Sequence, residues 1–188
     1  MQRGAITATH LDVDAQEHTH RSLHDIVTII EGASLAPRAA QRAIATFTRL
    51  AEVEAAIHGV AIDEVHFHEV GAVDAIVDIV GVCVALELLG IDAVYASAIA
   101  FGTGTVRSAH GVLPNPAPAT VRLLHGAPTY GLDIGVELTT PTGAALLSAN
   151  VTAFGAMPAM TIAATGFGAG TKDFPQRANV VQVIVGEP

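Results

Sequence analysis

The chain has 188 residues, 51% of them hydrophobic and 14% charged, enough to bury a sizeable core in about one domain. Nine Lys+Arg against eighteen Asp+Glu give a net charge of −9, which argues against nucleic acid as a partner, since neutralising phosphates needs clustered cations. Its single cysteine, Cys83, excludes an intrachain disulfide and any multi-cysteine zinc or iron–sulfur site, so a bound metal would have to be held by imidazole and carboxylate.

In chain order, residues 1–21 are polar and read as a strand or loop. From Ser22 the spacing of Leu23, Ile26, Val27 and Ile30 predicts a helix, with Ser22 as N-cap and Gly32 just beyond its end. A second helix is expected between Ser34, a possible cap, and Gly59. Pro37 suits its first turn, and Ile44, Phe47, Leu50, Val53 and Ile57 recur at three- and four-residue steps. A short extended piece over 65–70 precedes a third helix over about 72–89, apolar nearly all round and therefore expected to be buried. Its exceptions, Asp74, Asp78, Gly81 and Ala85, fall on one small-or-acidic stripe.

Beyond Gly90 the texture changes to β-branched segments broken by Gly and Pro: an extended stretch over 94–100, Gly102-Thr-Gly, and a turn rich in proline at 114, 116 and 118. Short helices are expected over about 118–124 and 141–149, and strands over 160–164 and 180–185. The expected fold is therefore α+β in a single domain over 1–188. Its His-rich lead and helices occupy about 1–90, including a buried central helix, and a Gly/Pro-rich part with mixed strands and short helices occupies about 91–188. Mean hydropathy is +0.48, yet every long apolar run is interrupted. The most apolar, 79–89, contains Glu87 and is too short to span a bilayer. With no basic stretch and apolar core following Met1, a cytoplasmic protein is expected.

Nine histidines are the unusual number. His18, His20 and His24 cluster, and His66 and His68 flank one Phe, whereas His10, His58, His110 and His125 stand alone in the sequence. On an extended segment His66 and His68 project from one face with Cα atoms about 6–7 Å apart, so both imidazoles can reach one divalent ion. His20 and His24, or His18 and His20, offer a second pair, depending on where the first helix starts. Imidazole without thiolate suits Ni(II), Zn(II), Cu(II) or Fe(II) better than Mg(II) or Ca(II). A purely structural role for these histidines is the competing reading. The zincin motif fails, because position 72 is Ala.

Asp74 and Asp78, one turn apart near a helix start, either complement the helix dipole or sit on a solvated face, or else form a carboxylate pair raised in pKa and suited to general-base work. The Gly-rich pieces at 102–104 and around Gly166, Gly168, Gly170 and Lys172 would let backbone N–H groups approach an anion, with an ordinary turn as the alternative. Arg107 with His110, and Glu137 with Thr139 and Thr140, are further polar islands, with plain surface loop as the alternative. Cys83, mid-helix among valines, reads as a core residue.

Five stretches in order, VHFHEVGAVDAIVDIVG (65–81), AHGVLPNPAPATVRLLHG (109–126), ELTTPTGAALL (137–147), FGAMP (154–158) and GFGAGTKD (166–173), resemble the nickel-pincer cofactor nickel-insertion proteins, the LarC-type cyclometallases. The resemblance implies insertion of Ni(II) into pyridinium-3,5-bisthiocarboxylic acid mononucleotide, forming nickel–sulfur and nickel–carbon bonds in a CTP-dependent reaction whose product is the cofactor of lactate racemase. It implies His18, His20, His24, His66 and His68 as metal ligands, and the ring proton it requires to be lost would go to Glu69, Asp74 or Asp78, or to a free imidazole. The mononucleotide phosphate would need an anion site, for which Arg107 and the loop with Gly166, Gly168, Gly170 and Lys172 are the candidates. Family members carry an additional start segment and a C-terminal domain implicated in CTP binding. The chain thus looks like a fragment or split-gene product, with a separate C-terminal-domain chain as partner, a homo-oligomer possible, and no nucleic acid or membrane involved. The rival readings are a His-rich nickel or zinc storage or delivery module, and a metal-dependent hydrolase of a phosphorylated metabolite.

Overall fold

The computed structural model describes residues 1–14, 21–67, 71–108, 110–175 and 177–188. Their elements run, in order, β1 (Gln2–Arg3), β2 (Ile6–Thr7), β3 (Arg21–Ser22), α1 (Leu23–Gly32), α2 (Pro37–His58), a 3-10 turn (Ile62–Glu64), β4 (His66–Phe67), α3 (Val73–Leu88), β5 (Tyr95–Ala96), β6 (Ile99–Phe101), β7 (Thr105–Ser108), β8 (Gly111–Pro114), α4 (Pro118–Leu123), β9 (Thr129–Gly131), α5 (Pro141–Asn150), β10 (Ala153–Phe154), β11 (Thr161–Ala169) and β12 (Val180–Glu187). The class is α+β, as the sequence predicts. Internal contacts divide the chain into two compact units, residues 1–14 with 158–188 and residues 15–157.

The larger unit is built on α2. Its Ala39, Ala43, Thr46, Phe47, Leu50 and Ala51 are buried, and the alanines let neighbouring helices approach closely. Helices α1, α3, α4 and α5 all pack on it. They join it in one core that includes Ile26, Ile30, Ile79, Cys83, Leu123, Ala144 and Ala145. The central helix is therefore α2, not the apolar helix expected to be buried. On α3 one face, Ala75, Ile79 and Cys83, is buried. Val77, Val82 and Leu88 are exposed, Leu88 by 82%. Apolar residues all round α3 signalled burial on every side, but within the unit its neighbours cover one side. Short strand pairs complete the unit: antiparallel β3–β4 and β7–β8, parallel β5–β10 and β6–β9.

Ser22 caps α1 as expected, exchanging hydrogen bonds with Asp25. Ser34 does not cap α2. Pro37 occupies the first turn and holds the preceding residue extended, so the cap position falls on Ala36, while Ser34 takes a φ of 53°. Gly59 ends α2 in the left-handed conformation.

In the smaller unit β11 and β12 form a long antiparallel ribbon and β1–β2 a short hairpin, with Thr9 bridging Gly168. Arg3, buried, donates to the carbonyl oxygens of Gly170 at 2.7 and 3.2 Å and of Thr171 at 2.9 Å.

Candidate functional site

Within the larger unit the end of α2, strand β4 and the β7–β8 hairpin enclose a cleft of about 700 Å³, a volume typical of small-molecule sites. Glu54, Ile57 and His58 of α2, Glu64 of the 3-10 turn, His66 of β4, Arg107 of β7, His110, and Glu137 and Pro141 before and at the start of α5 line it, over a floor that includes Val65, Phe67, Leu113 and Ala119.

His66 reaches the cleft through the alternation of its strand. Val65 and Phe67, 4% and 2% exposed, turn into the core, and the residue between them turns out. Phe67 is held by a tilted contact with Phe47, ring centroids 6.3 Å apart. The pairing of Ser22 with His66 and of Arg21 with Phe67 sets the start of α1 beside this strand. His24 and His66 both lie near enough to Asp25 to add to the lowering of its pKa, which comes first from the Ser22 hydroxyl and backbone. Two of the expected ligands from distant parts of the chain are thus neighbours of one carboxylate. His18, His20, His68 and Glu69 lie outside the described residues. Among the described residues no group of three or more His, Cys, Asp or Glu side chains is placed to hold a metal ion.

Two residues that the sequence left isolated join this wall. His58 ends α2, its Nε2 3.4 Å from Oε2 of Glu54 one turn back. His110 precedes Gly111 at the hairpin turn, its backbone N–H donating to Oγ of Ser108. The two rings meet with centroids 4.8 Å apart and planes inclined at 45°. Arg107 and His110 were legible as a polar pair; His58 gave no local signal, since only the tertiary fold brings α2 to the hairpin.

Other expected residues lie elsewhere. Asp74 and Asp78 are exposed on α3 and are not among the residues lining the cleft. Asp74 Oδ1 accepts from the N–H of Ala75 at 2.8 Å, a local helix-start bond, and the Asp78 carboxyl is raised by burial and then by Asp74. Gly166 and Gly168 are not in an anion-binding loop. They are strand residues of β11, registered against Val183 and Val181, and this strand pairs with β12 and with Thr9. The Gly170 N–H donates to the carbonyl of Asn179, and the Lys172 carbonyl accepts from the Asn179 side chain. Carbonyls rather than N–H groups converge there, on Arg3, which is the wrong polarity for a phosphate cradle. Gly102 is likewise structural: a Cβ would collide with the carbonyl of Val136 and lie 2.8 Å from that of Ile134. Thr140 caps α5 and Thr139 donates to the Ala100 carbonyl. Cys83 is buried and its thiol is pushed up to about 11 by burial.

No helix among the described residues is long and apolar enough to cross a membrane. No solved structure matches the chain. Among curated relatives, one of Geobacter metallireducens carrying a nickel-insertion name is 53% identical over 98% of this chain and 48% of its own length. The pyridinium-3,5-bisthiocarboxylic acid mononucleotide nickel insertion protein of Geobacillus kaustophilus is 45% identical over 97% of this chain and 47% of its own length. A Myxococcus xanthus relative with a nickel-insertion name is 52% identical over 98% of the chain and 48% of its own length. The chain spans about half the length of the curated relatives it matches. The family model described as nickel insertion protein matches residues 1–188, and the chain belongs to that family.

Proposed function

We propose that the cleft receives a pyridinium bisthiocarboxylate mononucleotide and that nickel, as cargo, is inserted into it there. The carrying observation is that three imidazoles, His58, His66 and His110, share one cleft with Arg107 and with the carboxylates of Glu54, Glu64 and Glu137. The named activity of the Geobacillus kaustophilus relative supports the same substrate. Arg107, permanently charged and forked, suits the phosphate, and the carboxylates complement the positive pyridinium ring and the ion. Imidazole binds Ni(II) well yet releases it to sulfur more readily than a thiolate cage would.

Forming the nickel–carbon bond requires a ring C–H to break: the proton goes to a base and the electron pair to nickel. Glu69, three positions after His66, is proposed as that base, with Asp74 and Asp78 the weaker candidates because they do not line the cleft. His18, His20, His24 and His68 are proposed to feed nickel to His66. The finer reading is CTP-dependent formation of the lactate racemase cofactor in the cytoplasm, with the nucleotide triphosphate handled by the family's C-terminal part.

A single-turnover assay tests the reaction, with mononucleotide, Ni²⁺ and magnesium CTP, and the remaining half of the Geobacillus kaustophilus relative supplied. The expected result is a change in pyridinium absorbance at least tenfold slower in His66→Ala. Nickel binding with no absorbance change would favour a storage or delivery module, and phosphate release from simple esters without nickel transfer would favour a hydrolase.

A further inference from the structure

Neither the family match nor the sequence motifs assign a role to His58 and His110, yet the fold sets them ring to ring inside the cleft. An inclination of 45° is neither the parallel of a stack nor the perpendicular of an edge contact. Two imidazoles on adjacent positions of one ion, each nitrogen about 2.0–2.1 Å from it, bring their ring centres to roughly 4.5–5.2 Å. The observed 4.8 Å falls within that interval.

The carboxylate of Glu54 adds the usual companion of a metal-binding histidine. Its Oε2, 3.4 Å from His58 Nε2, favours a proton on that nitrogen, the tautomer that would leave Nδ1 with the lone pair for a metal. Two neutral imidazoles hold Ni²⁺ less firmly than a thiolate cage would, which suits an ion in transit and not one held for storage.

We propose that His58 and His110 are the pair that holds Ni²⁺ in the cleft immediately before transfer. This rests on the insertion reading of the cleft, and the transfer itself is a ligand exchange. Two nickel–imidazole bonds break as two nickel–sulfur bonds to the thiocarboxylates form, both imidazoles leave neutral, and nickel stays divalent.

Calorimetric titration of the untagged chain with nickel chloride alone tests the pair. His58→Phe/His110→Phe keeps two packed rings and removes their nitrogens, and His58→Ala/His110→Ala serves as a second variant; circular dichroism reports folding of each. The expected result is loss of one nickel equivalent, or at least tenfold weaker binding, in whichever double variant folds, with His125→Phe binding as wild type does. Unchanged stoichiometry and affinity in a folded double variant would overturn the proposal, as would an equal loss in His125→Phe. Because the titrant is nickel alone, a chain that binds nickel through this pair but takes no mononucleotide would refute the insertion reading and leave the pair standing.

Discussion

Asp25 and Asp78 sit near the starts of two helices of the same unit and are pushed in opposite directions. Asp25 lies low because its carboxylate accepts from both the hydroxyl and the backbone N–H of Ser22. Its contribution to stability is present above the ordinary carboxylate range and is lost as pH falls through its lowered folded-state value. Asp78 lies high because partial burial and then the neighbouring Asp74 disfavour its charge. Its folded-state pKa exceeds the unfolded one, so the fold binds this proton more tightly, and the charged form costs stability at neutral pH that is regained as pH falls. Asp78→Asn is therefore expected to unfold at slightly higher urea than wild type near pH 7. The difference should shrink as pH falls through the raised folded-state value and vanish below the ordinary carboxylate range, where the carboxyl is neutral in both states. A residue pattern could identify Asp78 as a titration candidate; it could not show that the side chain is not among those lining the cleft. Conversely, His66 was legible as a ligand candidate from its spacing to His68, whereas His58, four residues after Glu54 at a helix end, resembled any surface pair.

At the scale of elements, the helices were legible because capping chemistry and a 3.6-residue period are local. Ser22, Pro37, Gly59 and Gly90 mark boundaries within two residues of those observed. Strand β4 falls within the extended piece expected over 65–70, but its partner β3 was not legible as a separate strand, since it exists only by pairing with β4 across α1 and α2. Gly71 holds this junction together. It is buried, its carbonyl accepts from Nη1 of Arg21 at 2.9 Å, and a Cβ there would stand 2.9 Å from both Cβ and the carbonyl oxygen of Phe67. Gly71→Ala must displace the β3–β4 backbone. It is expected to cost about 1–3 kcal/mol, the usual range for overpacking, measured by urea unfolding. Because His66 is carried on that strand, the same substitution should weaken nickel binding more than an equally destabilising change on α5, such as Thr140→Ala at its cap.

For the whole molecule, the decisive feature is that α2 and not α3 forms the hub. Four helices bury the alanine-rich faces of α2, and its last turn then emerges at the cleft, where Glu54 and His58 meet the hairpin that carries Arg107 and His110. Hydropathy alone favoured α3, because it measures how apolar a helix is and not how many neighbours can reach it. The alanines of α2 lower its apparent hydrophobicity while permitting close approach. The Gly-rich run that looked like a phosphate loop belongs to the ribbon of the smaller unit, and among the described residues lining the cleft Arg107 is the cation suited to a phosphate. Equilibrium binding of the pyridinium bisthiocarboxylate mononucleotide, compared with its dephosphorylated nucleoside, tests that arrangement most directly. Wild type should prefer the mononucleotide by at least tenfold, and a folded Arg107→Gln variant should bind both equally weakly; undiminished preference for the phosphorylated ligand in that variant would contradict the account.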